Sequence, residues 1–267
     1  MNPQPENPRT FFADTFKDRR VVEAYRHRPP YPQEVFEILT SLLNDEPRTV
    51  LDVGAGTGDL ARHLVTLAGR VDAVDFSEYM IERGRQLEGG DSPQLQWIYG
   101  KVEEVPLAPP YALITAGSSI HWLEWEKAFP LFRRILTPAG SLALVYRKTL
   151  PMPWDADVRE LRAHFLPGEG HSPAHLAQEL EARGFFHKQG ERETAPVPFF
   201  QSVDDFVEGM HSHFSQHHLR PQPAADFDRQ MRTLLLHHHP DGMLPMHVMG
   251  LVIWGRPATG VNPGQVE

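Results

Sequence analysis

The sequence predicts an α/β fold: a doubly wound, mostly parallel sheet with helices on both faces. Two observations carry the prediction. Short apolar runs alternate with amphipathic stretches from near Val21 onward, and one of those runs ends in three glycines at alternate positions, Gly54, Gly56 and Gly58. Strands that read as nearly continuous apolar runs are buried on both faces, as parallel strands covered by helices are.

Taken in order, the stretch 32–43 is amphipathic and stops in the turn-rich segment 44–48. A buried strand is predicted over 49–53, then a glycine turn and a helix to about Leu67. A second strand is predicted over 70–74, with a helix over 77–87. Further strands are predicted over 95–99, 111–116 and 141–146, with a helix over 125–136 before the last of these. Beyond Arg147 the pattern loosens: a helix over 173–183 stops at Gly184, and strands are predicted over 186–196 and 245–254, which makes seven in all. Between those two strands, 201–240 is rich in His, Phe and Met, reads as two helices and is longer than a simple connection, so it is expected to form a helical cap. The main domain is expected over 21–256, with 1–20 a flexible start and 257–267 a loose tail.

Composition narrows the function. The 267 residues are 40% hydrophobic and 23% charged, close to soluble globular averages, and no apolar run is long enough to span a membrane. The start, MNPQPENPRT, lacks the basic flank and apolar run of a secretory signal, so a cytoplasmic location is expected. With no cysteine, disulfides, thiolate metal sites and thiol nucleophiles are excluded. A formal charge of −9, with only short basic runs at 19–20 and 133–134, argues against nucleic acid as a partner.

The chemistry-bearing motif is the run from Val50 to Leu60, VLDVGAGTGDL. Glycine allows a tight turn and close backbone approach to a ligand, and the crevice beyond the carboxyl ends of such strands is where this architecture binds cofactors. Asp52 precedes the turn and is placed to hold its amides or a ligand ammonium. Asp75 closes the next strand, where an acidic residue accepts hydrogen bonds from both ribose hydroxyls; the alternative role is helix capping with Glu78.

These residues resemble a family, the class I S-adenosylmethionine-dependent methyltransferases, and within it the branch similar to trans-aconitate methyltransferase. LDVGAGTG matches its first motif and VDAVDFSEYMI its second. YGKVEEVPL, ITAGSSIHWLEWEKAF and RRILTPAGSLALV follow in the family's order, so the resemblance covers about 21–147. Tyr25-Arg-His-Arg28-Pro-Pro-Tyr31-Pro looks like the family's N-terminal segment.

The resemblance implies a Rossmann-like methyltransferase fold whose last strand is antiparallel, with S-adenosylmethionine as cofactor and S-adenosylhomocysteine as product. It implies that Gly54, Ala55, Gly56 and Gly58 line the methionine portion and that Tyr25 and Arg28 contact its end. Asp75 would take the ribose, Phe76 would flank the adenine, Val102 and Glu103 would complete the adenine pocket, and Ser118 would border the methyl group. The expected partner is a small-molecule acceptor offering O, N or C.

Methyl transfer from a sulfonium needs positioning above all, and no base is obligatory. Where the acceptor must lose a proton, His121 is the candidate, because it follows the fourth strand at the sheet's carboxyl edge and titrates near neutrality. Trp122 beside it could wall the acceptor pocket. The resemblance places the segment between the last two strands over the active site and so implies that His211, His213 and His217 line that pocket; metal binding is not expected, since no carboxylate sits at a ligand spacing, and the family often carries Ser-x-Ser-Phe where this chain has His-Ser-His-Phe. Two other readings stay open. A nicotinamide-dependent oxidoreductase would need a glycine where Asp59 stands. A protein of this fold could also bind the cofactor without methylating anything.

Overall fold

The computed structural model describes residues 18–165, 173–213 and 221–260. In chain order its elements begin with α1 (Arg19–Ala24), α2 (Gln33–Ser41), β1 (Thr49–Val53), α3 (Ala61–Leu64), β2 (Arg70–Asp75), α4 (Glu78–Gln86) and β3 (Leu95–Tyr99). They continue with β4 (Tyr111–Gly117), α5 (Trp125–Ile135), β5 (Leu136–Thr149), α6 (Asp155–Phe165), α7 (Pro173–Ala182) and β6 (Phe186–Glu193). The last are β7 (Val197–Ser202), α8 (Val203–Met210), α9 (Pro221–His238) and β8 (Met243–Pro257). The chain divides into two compact units. The first holds Tyr31–Arg147 together with the described residues of 171–195 and 250–267; the second holds the remainder.

In the first unit the strand order is β3-β2-β1-β4-β5-β8-β6. β1 pairs in parallel with β2 and β4, β2 with β3, and β4 with β5, while β6 runs antiparallel to the second half of β8. The doubly wound, mostly parallel fold class is therefore the one observed. The chain winds outward through β2 and β3 on one side and β4 and β5 on the other, so the order reverses between β1 and β4. That reversal is the switch point at which open α/β sheets bind ligands.

Alternation along each strand sends neighbours to opposite faces, and both faces are apolar. Leu51, Val53 and Leu144 pack with Phe129 and Phe132 of α5 and Leu180 of α7. Val50, Ala143 and Val145 pack with Val35, Phe36 and Leu39 of α2. Full burial of each such large side chain stabilises by about 1.5–3 kcal/mol. Only a sheet covered on both faces collects that from every strand position.

The second unit has its own core, in which Trp154 just before α6, Val158 of α6, Val207 of α8, Phe227 and Met231 of α9 and Met246 of β8 come together. Here β7 pairs antiparallel with the first half of β8, from Val197 opposite Val248 to Ser202 opposite Met243. β7 is a strand beyond the seven predicted. Pro196 and Pro198 hid it, since proline is depleted in strands and tolerated at edges. Phe200 on β7 is 66% exposed. Of the expected flexible ends, residues 1–17 and 261–267 lie outside the described residues. Among the described residues no helix is long and apolar enough to cross a membrane.

Candidate functional site

The loop that leaves β1 is built on left-handed backbone: φ is +63° at Gly54, +57° at Gly56 and +80° at Gly58. Two of these positions have no room for a side chain either. A Cβ on Gly54 would fall 2.5 Å from Cβ of Ser119, and one on Gly58 would fall 2.6 Å from the Trp97 ring. Glycine is thus required by conformation and by space.

Asp75, at the end of β2, closes the loop. Its Oδ2 accepts the Gly56 N–H at 2.7 Å and its Oδ1 accepts the Ser77 N–H at 2.8 Å. Helix α4 is capped by Ser77, whose hydroxyl accepts the Met80 N–H. Asp75 is therefore not the capping residue, and each of its oxygens keeps a second lone pair. Burial pushes its carboxyl up to about 6, although the Ser77 and Gly56 amides pull the other way.

Asp52 lies inside β1, buried, with the Thr115 hydroxyl donating to Oδ1 at 2.7 Å. Burial pushes this carboxyl up to about 7 against that hydrogen bond. Two buried carboxyls that resist ionisation beside an open-backbone loop favour a cationic ligand, because a nearby positive charge restores the ionised form. A sulfonium or ammonium group is such a ligand.

The loop's far end is held by charge. Asp59 receives Arg147 Nη1 on Oδ2 at 2.9 Å, and Arg62 Nη2 and the Thr57 hydroxyl on Oδ1 at 3.3 and 3.1 Å. Burial alone would raise the Asp59 carboxyl, but the Arg147 and Arg62 guanidiniums outweigh it and hold it below the ordinary value.

Beyond β4, Ser118 adopts φ +53°, unusual for a residue with a side chain, and donates its N–H to the Val145 carbonyl at 3.0 Å. Its neighbour Ser119 donates its hydroxyl to the Val53 carbonyl, tying this loop to the end of β1. A 3-10 turn, Ile120–Trp122, then presents His121 and Trp122, whose rings lie 4.3 Å apart. Val102 is buried, and Glu103 accepts the Glu124 N–H at the start of α5 at 2.9 Å. Glu103 is thus at least partly a cap. Phe76 is half-buried between Asp75 and Ser77.

In the second unit, Tyr25 lies in a 3-10 turn with the Arg28 guanidinium 4.0 Å over its ring. Arg28 donates through Nε to the Ser212 hydroxyl at 2.9 Å and through Nη2 to the Ser212 carbonyl at 2.8 Å. His211 Nε2 stands 2.8 Å from Asp228 Oδ1. The His213 side chain and His217 lie outside the described residues. Among the described residues no group of three His, Asp or Glu is placed to hold a metal ion.

Sequence reasoning singled out the three glycines, Asp52 and Asp75, which the structure brings together around one loop. It missed Trp97, Thr115, Ser119 and Arg147. Each touches the loop or its supports through tertiary contact, so no local pattern marks it.

Sheet order and loop together define a doubly wound domain of the kind that binds ligands at its switch point. Comparison with known proteins sharpens the class. The methyltransferase domain family matches residues 50–140. The uncharacterized methyltransferase Rv3342 of Mycobacterium tuberculosis is 37% identical over 128 residues, 47% of this chain and 50% of that protein. A malonyl-(acyl-carrier protein) O-methyltransferase of Geobacter sulfurreducens is 28% identical over 212 residues, 72% of this chain and 74% of that one. This chain spans about half the length of the first of these relatives. Among solved structures, a protein of Anaeromyxobacter dehalogenans provisionally described as a type II methyltransferase superposes with TM-score 0.63 at 20% identity, over 86% of this chain and 97% of that one. That likeness is one of fold. The domain match over residues 50–140 likens that stretch, glycine loop included, to methyltransferase domains.

Proposed function

We propose that the protein transfers a methyl group from S-adenosylmethionine to a small-molecule acceptor. The observation that carries this reading is the glycine loop tied by its Gly56 amide to Asp75 at the switch point between β1 and β4. When bound, the cofactor supplies a methyl carbon on a positively charged sulfur.

The chain's own residues would act as follows. Gly54, Ala55, Gly56 and Gly58 let the backbone approach the methionine portion, with Asp52 beneath as a counter-charge. Asp75 accepts the ribose hydroxyls on its second lone pairs, Phe76 covers the adenine, and Val102 with Glu103 closes that pocket. Ser118, held in its strained turn, borders the transferred group. His121 receives the proton of an acceptor hydroxyl or amine, and Trp122 packs beside the acceptor. The catalytic gain would come from holding donor and acceptor in line.

The O-methyltransferase among the relatives is named for malonyl-(acyl-carrier protein), so carboxylic acids are the first acceptors to screen. The test is transfer of label from methyl-labelled donor to a panel of carboxylates, amines and enols. Labelled product with the wild type and none with Asp75→Ala supports the reading. Donor binding without transfer to any acceptor favours a protein that binds the cofactor for another purpose.

A further inference from the structure

Tyr146 stands on β5 at the carboxyl edge of the sheet, one step past Val145, which pairs with Gly117 at the end of β4. The Val145 carbonyl takes the Ser118 N–H at 3.0 Å, so Tyr146 lies beside the turn that leaves β4 with a positive φ. A Cβ on Gly117 would fall 3.0 Å from the Tyr31 hydroxyl, so a second phenol reaches the same strand end.

Tyr146 is 5% exposed and belongs to an apolar cluster with Leu144, Ile120 and Trp125. Its hydroxyl is buried and, among the described residues, meets no hydrogen-bond partner. Buried hydroxyls are nearly always paired, because an unmet one loses its bonds to water without replacing them. Tyr111, at the start of β4, shows the contrast: its buried hydroxyl donates to Asp72 and accepts the Ala108 N–H. Burial, with Tyr31 nearby, pushes the Tyr146 phenol up, so it keeps its proton and offers a neutral O–H donor. Apolar surroundings favour an uncharged oxygen as its partner, since a carboxylate there would need a countercharge. Arg147 supplies none, because strand alternation turns it to the other face, where it meets Asp59.

We infer that Tyr146 is a specificity-determining residue whose hydroxyl donates to an uncharged oxygen of the methyl acceptor, a carbonyl carried beside the group that is methylated. This rests on the methyl-donor reading above and names the acceptor class which that reading leaves open.

Three matched pairs of acceptors isolate the carbonyl: levulinate and valerate, aminoacetone and propylamine, hydroxyacetone and propanol. Label transfer from methyl-labelled S-adenosylmethionine to each is followed with the wild type and Tyr146→Phe, alongside S-adenosylhomocysteine affinity and the Tm of the ligand-free proteins. The wild type should methylate at least one carbonyl-bearing member, and Tyr146→Phe should lower kcat/KM for it about ten- to hundredfold while its carbonyl-free partner changes by less than about twofold. S-adenosylhomocysteine affinity should also stay within about twofold, and Tm should hold level or rise, since an unmet hydroxyl is removed. A fall in Tm of more than about 2 °C would mean that the hydroxyl is paired in the free protein, and it overturns the assignment. So does equal loss for both members of a pair, unchanged kcat/KM for the carbonyl-bearing one, or wild-type transfer confined to carbonyl-free acceptors; these leave the methyl-donor reading standing. S-adenosylhomocysteine binding with no label in any of the six removes the carbonyl assignment alone. If the wild type binds no adenosyl ligand, this inference and the methyl-donor reading fall together.

Discussion

The Asp75 carboxylate accepts the Gly56 amide at 2.7 Å, so the end of β2 holds the middle of the loop that leaves β1. The same carboxylate takes the Ser77 amide on its other oxygen and fixes the start of α4. One side chain thereby sets the spacing between two helix entrances at the switch point. Its buried neighbour Asp52 sits one strand over, and both carboxyls are pushed above the ordinary range.

That electrostatic arrangement predicts how stability depends on pH. Asp52, raised to about 7 by burial, keeps its proton in the folded protein where the unfolded chain has lost it. Its contribution to stability is therefore present below about pH 4 and is lost as pH rises through about 7. Asp52→Asn removes this penalty. The Tm of the variant relative to the wild type should rise between pH 5 and pH 8, as followed by calorimetry; a difference that stays flat with pH contradicts the assignment.

Gly58 and Trp97 form a second testable pair. Gly58→Ala puts a methyl group where φ is +80° and the Trp97 ring is 2.6 Å away. Backbone strain of this kind costs about 1–3 kcal/mol, and the overlap adds to it. Urea denaturation should register the loss. Adding Trp97→Leu should recover part of it, because the two residues share one contact and their effects cannot be additive.

A buried hydrogen bond far from the loop supports the sheet itself. The Tyr111 hydroxyl donates to Asp72 Oδ2 at 2.6 Å and accepts the Ala108 N–H at 3.1 Å, while Arg70 pairs with the other Asp72 oxygen at 3.1 Å. Tyr111→Phe leaves an acceptor and a donor unmet and should destabilise by about 1–3 kcal/mol. Denaturant unfolding measures this, and donor affinity should stay within about twofold of the wild type.

For His121, replacement by Gln keeps size and hydrogen bonding but removes the titrating nitrogen. With an acceptor that must lose a proton, turnover should fall by about two to four orders of magnitude while donor affinity is unchanged. Unchanged turnover would remove the base role. Steady-state kinetics with a calorimetric affinity decides between them.

Much of the first unit was legible because its signals are local. β1 and β3 occupy the predicted ranges, and α4 and α5 start within a residue of theirs, since apolar runs and glycine punctuation mark such elements directly. α3 is shorter than predicted, because the residues before Ala61 belong to the loop geometry that the glycines impose. β5 runs from Leu136 to Thr149, well past its apolar centre, through backbone pairing that side-chain pattern does not report. In the site, glycines and acids were visible from spacing. Arg147 was not, because it is separated from Asp59 by most of the first unit's chain and only the parallel sheet brings them together. β7 was missed because two prolines argued against it locally while pairing with β8 overrode them.

The most direct test of the central claim is calorimetric titration of the wild type and Asp75→Ala with S-adenosylmethionine, S-adenosylhomocysteine and NADH. The account predicts that the wild type binds both adenosyl ligands and not NADH, and that Asp75→Ala loses about a hundredfold or more in affinity for both as its charged hydrogen bonds to ribose and loop disappear. Binding of NADH in place of the adenosyl ligands, or adenosyl binding indifferent to Asp75→Ala, would contradict it.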